Sequence, residues 1–296
     1  MGNILTKQFY RQRKDFEDSC AGRDSGLTFP EGVRCSTDIA YADDGIKAHM
    51  LDIYRPEDSQ EKILPVIINV HGGGLIIGNK EFNRYFCALL CKKGFLVYSI
   101  EYRLIPDCLM YDQISDVFMA MDYIKERLAA DGGDLSHVYM AGDSGGACLI
   151  TYANAIQNST NIARAANVTP SGLRINALGL ISGMFYTSRF DKIGLFLPKY
   201  LYGRDYKKTS FAKYVNPENR ELLNSLAPVW LVTSHNDFLR RYTTDFEKAL
   251  TRAEREHELV AFPKNKKLTH AFSVFEPFLP ESSAVIDMMV EYLRKF

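Results

Sequence analysis

A chain of 296 residues, of which 46% are hydrophobic and 24% charged, has the composition of an ordinary globular protein and can form one large domain with a small addition. Its 36 lysines and arginines balance its 36 aspartates and glutamates, so the charge gives no indication of a nucleic-acid partner. The longest apolar runs have only the length of strands, far below the ~18 residues of a membrane-spanning helix, and no transmembrane segment is predicted.

The N-terminal sequence, MGNILTKQFYRQRKDF, lacks the apolar stretch of a secretory signal peptide. We therefore expect a cytoplasmic protein whose six cysteines are reduced thiols, with Cys87 and Cys91 filling the core rather than binding a metal. The first residues fit the M-G-x-x-x-[ST] pattern of N-myristoylation at Gly2, although an ordinary polar helix is the preferred interpretation. Residues 1–40 form an N-terminal segment that could contribute to a cap.

The predicted elements begin with two strand-like segments on either side of Asp43-Asp44-Gly45, which indicate an antiparallel hairpin at a sheet edge. From residue 64 onward, apolar runs alternate with helical patterns, and an amphipathic helix is predicted from Pro280 to the end. This alternation predicts an α/β domain over 41–296 with a mostly parallel sheet. The six predicted strands of this part are 64–70, 95–102, 137–142, 176–182, 228–234 and 259–263.

The segment 184–214 interrupts the alternation because it is rich in aromatic and basic residues and contains no clear strand. We predict that it is a cap-like insertion. Its aromatic side chains could line a compact pocket or pack the insertion onto the body, and the sequence leaves both options open. They are Phe185, Tyr186, Phe190, Phe196, Tyr200, Tyr202 and Tyr206.

A serine surrounded by glycines follows the predicted strand 137–142, in the stretch Gly142-Asp143-Ser144-Gly145-Gly146. The G-x-S-x-G pattern is typical of a sharp strand-to-helix turn that exposes the serine hydroxyl above a sheet. The pattern also arises by chance in roughly one chain in ten of this length. A serine hydroxyl is a weak nucleophile, so the hypothesis needs a base and an acid as well.

The chain order Ser, then Asp, then His restricts the partners of such a serine. Asp237 comes just after the predicted strand 228–234, and His270 lies in a loop after the last predicted strand. His235 is a nearby competitor, and His257 is predicted to lie on a charged helix within TRAEREHE. We therefore predict Ser144, Asp237 and His270 as the catalytic triad.

The string His71-Gly72-Gly73-Gly74 follows the predicted strand 64–70. Glycines at this position let main-chain N–H groups approach a substrate, and together with the Gly145 N–H they could bind an oxyanion. His71 is predicted to support the loop rather than to titrate in catalysis. A phosphate-binding loop is disfavoured because no G-K-[ST] or G-x-G-x-x-G pattern is present.

Taken together, the HGGG string, the GDSGG string and Tyr102-Arg103-Leu104-Ile105-Pro106 resemble the hormone-sensitive-lipase-like group of α/β-hydrolase esterases. The resemblance runs from about residue 64 to the end. It implies the α/β-hydrolase fold, with Gly73, Gly74 and Gly145 as oxyanion donors. That group usually has alanine after the serine, where this chain has glycine.

These observations predict a serine carboxylesterase that hydrolyses short-chain carboxylic esters through an acyl-enzyme, without a metal or an organic cofactor. Amide or peptide cleavage by the same triad is one alternative. A ligand-binding homologue without catalytic activity is another, although the presence of all three triad residues argues against it. The expected partner is a small-molecule ester. A homodimer is compatible with the sequence, which does not define the oligomeric state or the natural substrate.

Overall fold

The computed structural model describes residues 2–59 and 62–296, with side chains from residue 5 onward. Within this part of the chain, eight strands form one sheet. They are β1 (Val33–Ala40), β2 (Met50–Pro56), β3 (Leu64–Val70), β4 (Leu96–Ile100), β5 (Gly133–Asp143), β6 (Leu178–Ile181), β7 (Val229–Ser234) and β8 (His257–Phe262).

The strand order across the sheet is β1-β2-β4-β3-β5-β6-β7-β8. β1 pairs antiparallel with β2, and β2 antiparallel with β4, whereas every pair from β4 to β8 is parallel. The predicted edge hairpin and the predicted mostly parallel sheet are therefore confirmed. Because parallel strands end at the same edge of the sheet, the loops after β3, β5, β7 and β8 all meet on one side of the molecule.

Helices cover both faces of this sheet. They are α1 (Gly2–Asp24), α2 (Arg84–Lys92), α3 (Met110–Arg127), α4 (Ser144–Asn158), α5 (Thr160–Ala166), α6 (Lys192–Phe196), α7 (Pro198–Leu201), α8 (Arg220–Asn224), α9 (Arg240–Arg252), α10 (Phe272–Phe275) and α11 (Pro280–Leu293). Short 3-10 turns span Lys80–Asn83, Tyr206–Lys208 and Ser210–Tyr214. The C-terminal helix begins at Pro280, as predicted, because proline is well suited to the first helical turn.

The core lies on both sides of the sheet, which explains why the central strands are almost continuously apolar. In β3, Val66 and Ile68 pack with α3 and α4, whereas Ile67 between them packs on the opposite face with α2 and α11. All three side chains are fully buried. Cys87 and Cys91 of α2 belong to the part of the core on the α2 and α11 side of the sheet. All six cysteines are free thiols, without a disulfide bond.

One predicted element is wrong. His257 is not on a helix but is the first residue of β8, where it pairs with Val229 of β7. The preceding helix, α9, ends at Arg252, and Glu254 takes a left-handed conformation that turns the chain. The charged sequence has a helical pattern, but pairing with a buried neighbouring strand outweighs that local preference.

The segment 184–214 contains no strand and is built from α6, α7 and the two 3-10 turns that follow them. It contacts the N-terminal helix, because the ring of Phe9 in α1 packs edge-on against Tyr200 at 5.2 Å. Phe185 stacks on Phe246 of α9 at 4.2 Å, whereas Phe190 is 91% exposed. The aromatic residues of this segment thus include members packed on the body and members facing solvent.

In the described ranges, no helix is long and apolar enough to cross a membrane. The same residues contain no group of three or more histidine, cysteine, aspartate or glutamate side chains that could hold a metal ion. The N-myristoylation pattern begins at Met1, which lies outside the described residues. Gly2 is described as the first residue of α1, and its modification stays a prediction.

Candidate active site

Ser144 stands at the junction between β5 and α4, where the chain reverses sharply. Its φ is +49°, a left-handed conformation that is uncommon for a residue with a side chain. Such a conformation is held only where the surrounding structure demands it, and it is found frequently at functional sites. The local geometry is that of the strand-to-helix turn predicted from the G-x-S-x-G pattern.

The glycines around Ser144 allow α4 to start against the end of β3. A methyl group added to Gly146 would lie 2.1 Å from the carbonyl oxygen of Val70 and 2.5 Å from that of His71, so only glycine fits here. A methyl group added to Gly142 would likewise lie 2.9 Å from the carbonyl oxygen of Val70. These contacts give the motif a physical reason beyond flexibility.

His270 lies between Ser144 and Asp237, although these three residues are far apart in sequence. Its Nε2 is 2.9 Å from Ser144 Oγ, and its Nδ1 is 2.7 Å from Asp237 Oδ1. Because a carboxylate only accepts hydrogen bonds, Nδ1 carries the proton and Nε2 is free to accept one from the serine hydroxyl. The structure therefore brings the three predicted triad residues together in the arrangement that a serine hydrolase needs.

Asp237 follows β7 and is only 5% exposed. Oδ1 also accepts the Leu239 N–H at 2.8 Å, and Oδ2 accepts the Thr233 hydroxyl at 2.9 Å. Burial alone would raise the pKa of Asp237, but the hydrogen bond and the electrostatic interaction with His270, together with the other donors, hold it below its usual value. The carboxylate is thus ionised and fixed in orientation beside the imidazole.

The glycine-rich loop lies directly opposite the start of α4. Gly73 and Gly74 have φ values of +102° and +61°, and a methyl group on Gly145 would be 2.9 Å from the Gly74 nitrogen. None of the backbone hydrogen bonds recorded for the described residues uses the N–H of Gly73 or Gly74. The Gly74 nitrogen therefore lies close to Gly145, the residue that follows Ser144.

Gly72 and Asp143 tie this loop to the serine turn. Asp143 Oδ1 accepts the Gly72 N–H at 3.0 Å and the Asn83 side-chain amide at 3.0 Å. Burial raises the pKa of the Asp143 carboxyl, which is 2% exposed. The residue before the serine therefore anchors the loop and does not face the substrate side.

His71 lies beneath the glycine-rich loop and is fully buried. Its Nε2 is 2.8 Å from Glu101 Oε1 and its Nδ1 is 2.9 Å from Gly72 O, while its ring stacks on Tyr102 at 4.4 Å. Burial lowers the pKa of His71, but the Glu101 carboxylate more than offsets it, so the pKa is raised. Both ring nitrogens face acceptors, which suits a positively charged imidazole that supports the loop.

The other candidate histidines are elsewhere. His235 is exposed just after β7, with Nδ1 2.9 Å from Arg240 Nη1, and His257 contacts Thr251 at 3.2 Å. Neither is bonded to Ser144 or Asp237 in the described structure. Among the three histidines that follow Ser144, His270 alone occupies the position of a base.

Three residues near the site were not identified from the sequence as site residues. Met184 donates its N–H to Ser144 O at 3.0 Å, and its sulfur would be 4.0 Å from a methyl group on Gly74. Phe238 is 74% exposed, and its ring centroid is 4.3 Å from that of His270. Thr233 bonds Asp237 from within β7. Only Phe238, a large apolar residue next to the predicted acid, carried a recognisable signal.

Comparison with known families defines the class of protein. Residues 67–273 match the family described as alpha/beta hydrolase fold, and the chain belongs to this family. The family resemblance and the fold predicted from the motifs are thereby confirmed. The matched range contains Ser144, Asp237 and His270 and excludes α1 and the edge hairpin.

Several curated proteins share part of this sequence. A probable isoprenylcysteine alpha-carbonyl methylesterase of Oryza sativa subsp. japonica is 29% identical over 184 residues, which cover 58% of this chain and 44% of that protein. Tuliposide A-converting enzyme b1, amyloplastic, of Tulipa gesneriana is 30% identical over 131 residues, covering 40% and 35% of the two chains. The chain thus matches less than half of the length of these relatives.

Solved structures resemble the whole fold. Esterase B from Lactobacillus Rhamnosis has a TM-score of 0.92 at 22% identity, covering all of this chain and 96% of that one. A bacterial heroin esterase has a TM-score of 0.67 at 22% identity, covering 97% and 91%. At 22% identity, the similarity shows a common fold. In the comparison with esterase B, the matched region includes the N-terminal helix α1 of this chain.

Proposed function

We propose that the protein is a serine carboxylesterase in which Ser144 is the nucleophile, His270 the general base and Asp237 the acid that orients it. The observation that carries this proposal is the pair of contacts that His270 makes, 2.9 Å to Ser144 Oγ and 2.7 Å to Asp237 Oδ1. The reaction class is further supported by the family and by the names of the relatives, which describe esterases and methylesterases.

In the proposed reaction, Ser144 Oγ attacks the ester carbonyl carbon while its proton passes to His270 Nε2. The carbonyl oxygen gains the negative charge and accepts hydrogen bonds from the N–H groups of Gly73, Gly74 and Gly145. Asp237 stabilises the imidazolium through Nδ1. When the intermediate collapses, the ester C–O bond breaks, the alcohol leaves with the proton from His270, and the acyl group remains on Ser144.

Water completes the cycle by the same route. His270 takes a proton from a water molecule as the water oxygen attacks the acyl carbon. The tetrahedral intermediate then collapses, the bond between Ser144 Oγ and the acyl carbon breaks, His270 returns the proton to Ser144 Oγ, and the carboxylic acid departs. The chain's own residues supply every proton transfer in this scheme, so the proposal requires no metal or organic cofactor.

We propose short-chain esters as substrates, with the segment 184–214 and α1 acting as a cap. Ser144 is 7% exposed, and Met184 and the glycine-rich loop lie close beside it, which suits a small acyl group. Esterase B is also described with a tributyrin phosphonate inhibitor, a compound with butyryl chains. A small-molecule ester, a cytoplasmic location and a possible homodimer remain predictions.

The test is hydrolysis of p-nitrophenyl butyrate by the purified protein, with and without an organophosphate. We expect turnover that the organophosphate abolishes, because it phosphorylates an activated serine. The matched p-nitroanilide distinguishes the alternatives: faster anilide cleavage would favour the amidase. A well-folded protein that hydrolyses neither compound and is not labelled would favour a ligand-binding homologue.

A further inference from the structure

The N-terminal helix is joined to the glycine-rich loop by one arginine. From α1, Arg13 donates through Nε to Ile76 O at 2.8 Å and through Nη2 to Leu104 O at 3.0 Å and Ile105 O at 2.6 Å. Its Nη1 also forms an ion pair with Asp107 at 2.7 Å. The Arg13 side chain is 18% exposed, so this guanidinium is largely enclosed while it bridges two segments that follow different strands.

The carbonyl that Arg13 binds belongs to the turn that presents the proposed oxyanion donors. Ile76 is two residues beyond Gly74, and its N–H bonds back to Gly73 O at 3.1 Å. The carbonyl between them, that of Leu75, accepts the Ile105 N–H at 3.0 Å. Arg13 therefore clamps the turn to the same 104–105 segment that supports it from the other side.

This turn needs support from outside itself. Gly74 and the buried Leu75 have φ values of +61° and +68°, and the left-handed conformation is unfavourable for a leucine. The turn also lies so close to α4 that a methyl group on Gly145 would be 2.8 Å from the Leu75 nitrogen. At such a contact, a shift of less than an ångström changes where the N–H groups point.

We propose that Arg13 is a positioning residue for the oxyanion hole, so that the N-terminal helix, which lies outside the matched family region, sets the geometry of the reaction. This inference rests on the proposed function. A planar guanidinium can bind three carbonyls and a carboxylate at once, whereas a lysine ammonium is a compact charge that cannot span them. The Tyr10 hydroxyl, from the same helix, donates to the other oxygen of the Asp107 carboxylate.

The experiment compares Arg13→Ala and Arg13→Lys with wild type on p-nitrophenyl butyrate. For Arg13→Ala we expect kcat to fall about 10²-fold, the effect of misplacing the reacting groups by ~1 Å, with KM changed by less than about threefold. Inactivation by a fluorophosphonate should slow in parallel. Guanidinium chloride, well below denaturing concentrations, should restore part of the kcat of Arg13→Ala. Arg13→Lys should fall between the two.

The control is Arg11→Ala on the same helix, because the Arg11 side chain is 83% exposed and its nearest carboxylate, Asp15, is 3.7 Å away. We expect wild-type kinetics from it. A wild type without esterase activity would defeat the proposed function itself, and the fluorophosphonate reaction of Arg13→Ala would then show whether Arg13 still matters. An active wild type with unchanged kcat in Arg13→Ala, or with a loss confined to KM, overturns the inference.

If Arg13→Ala does not fold, the kcat and the melting temperature of Arg13→Lys test the inference instead. A kcat at least about tenfold below wild type, at an unchanged melting temperature, supports the positioning role. Wild-type kcat in that variant overturns it.

Discussion

Asp237 is distinguished from other carboxylates near the site by the donors that surround it. Its oxygens accept hydrogen bonds from His270, Leu239 and Thr233, so the carboxylate cannot rotate away from the imidazole. Asp191, by contrast, accepts the Ile193 N–H and the Tyr242 hydroxyl and has no contact with the triad. The two residues therefore offer a matched pair of substitutions.

We expect Asp237→Asn to fold and to lose turnover by up to about 10⁴-fold, because an amide at this position holds His270 in the wrong tautomer and cannot stabilise its imidazolium. Steady-state kcat with p-nitrophenyl butyrate is the measurement. Asp191→Asn should leave kcat nearly unchanged. If Asp237→Asn keeps near-normal turnover, a different group orients the base.

Gly145 provides a second prediction at the scale of one residue. In the group that this sequence resembles, alanine usually follows the serine, yet a methyl group here would meet the Gly74 and Leu75 nitrogens at 2.9 and 2.8 Å. Backbone atoms must then move, and they include a proposed oxyanion donor. Losing one such donor costs about 10²–10³ in kcat.

Gly145→Ala should accordingly lower kcat, measured beside Gly22→Ala as the control, because a methyl group on Gly22 in α1 meets nothing within 4 Å. A Gly145→Ala variant as active as wild type would mean that the loop accommodates alanine without moving the N–H groups.

Sequence reasoning at this scale could propose Ser144, Asp237 and His270 because chain order and position after strands restrict the choice strongly. It could not identify the residues that hold Asp237 and the glycine-rich loop in place. Thr233 bonds Asp237, Glu101 bonds His71 and Arg13 bonds Ile76 O, and no local pattern distinguishes these three residues from other polar residues.

At the scale of elements, the positions of strands could be predicted better than their ends. The strand predicted at 64–70 is observed at Leu64–Val70, because an apolar run buried on both faces leaves little freedom. β8, in contrast, begins at His257 inside a sequence with a helical charge pattern. Pairing with β7 determines that this segment is a strand, and the local sequence carries no information about that pairing.

An ion pair between the buried His71 and the partly buried Glu101 lies beneath the loop after β3. His71 is fully buried, and its pKa is raised because Glu101 outweighs the effect of burial. A raised pKa stabilises the folded state below about pH 6.5, and this stabilisation is lost as the pH rises through the folded-state pKa. Without the Glu101 charge, burial alone would disfavour the charged imidazole.

We therefore expect Glu101→Gln to lower the melting temperature most near pH 5–6 and less near pH 9, when thermal unfolding is followed across this range. Glu31→Gln, at an exposed position, should behave like wild type at every pH. A loss in Glu101→Gln that is the same at all pH values would show that the charge of His71 does not contribute.

At the scale of the whole molecule, the site lies where the carboxyl ends of the parallel strands meet, as in other open α/β sheets. The segment 184–214 and α1 lie on this side, in contact through Phe9 and Tyr200. The broken alternation of the sequence could predict that this segment contains no strand. The packing of its side chains could not be predicted, because two phenylalanines behave differently: Phe185 is buried against α9, whereas Phe190 is exposed.

The low exposure of Ser144 supports the proposal that the substrate is small. Ser144 is only 7% exposed, and Met184, at the start of the segment 184–214, contacts it directly. Each added methylene contributes only ~0.8 kcal/mol of binding while it fits, and a clash costs more. We expect p-nitrophenyl esters from acetyl to hexanoyl to be preferred, without activation by lipid emulsions. A kcat/KM that keeps rising through dodecanoyl would indicate a lipase instead.

The proposed nucleophile is Ser144, activated by His270. The most direct measurement is labelling of the purified protein by a fluorophosphonate probe, with the modified peptide located by mass spectrometry and compared with Ser144→Ala. We expect one label on Ser144 in wild type, and in Ser144→Ala no label, a normal melting temperature and turnover reduced by roughly 10⁴–10⁶-fold. Persistent labelling and turnover in a folded Ser144→Ala variant would contradict it and assign the chemistry to another residue.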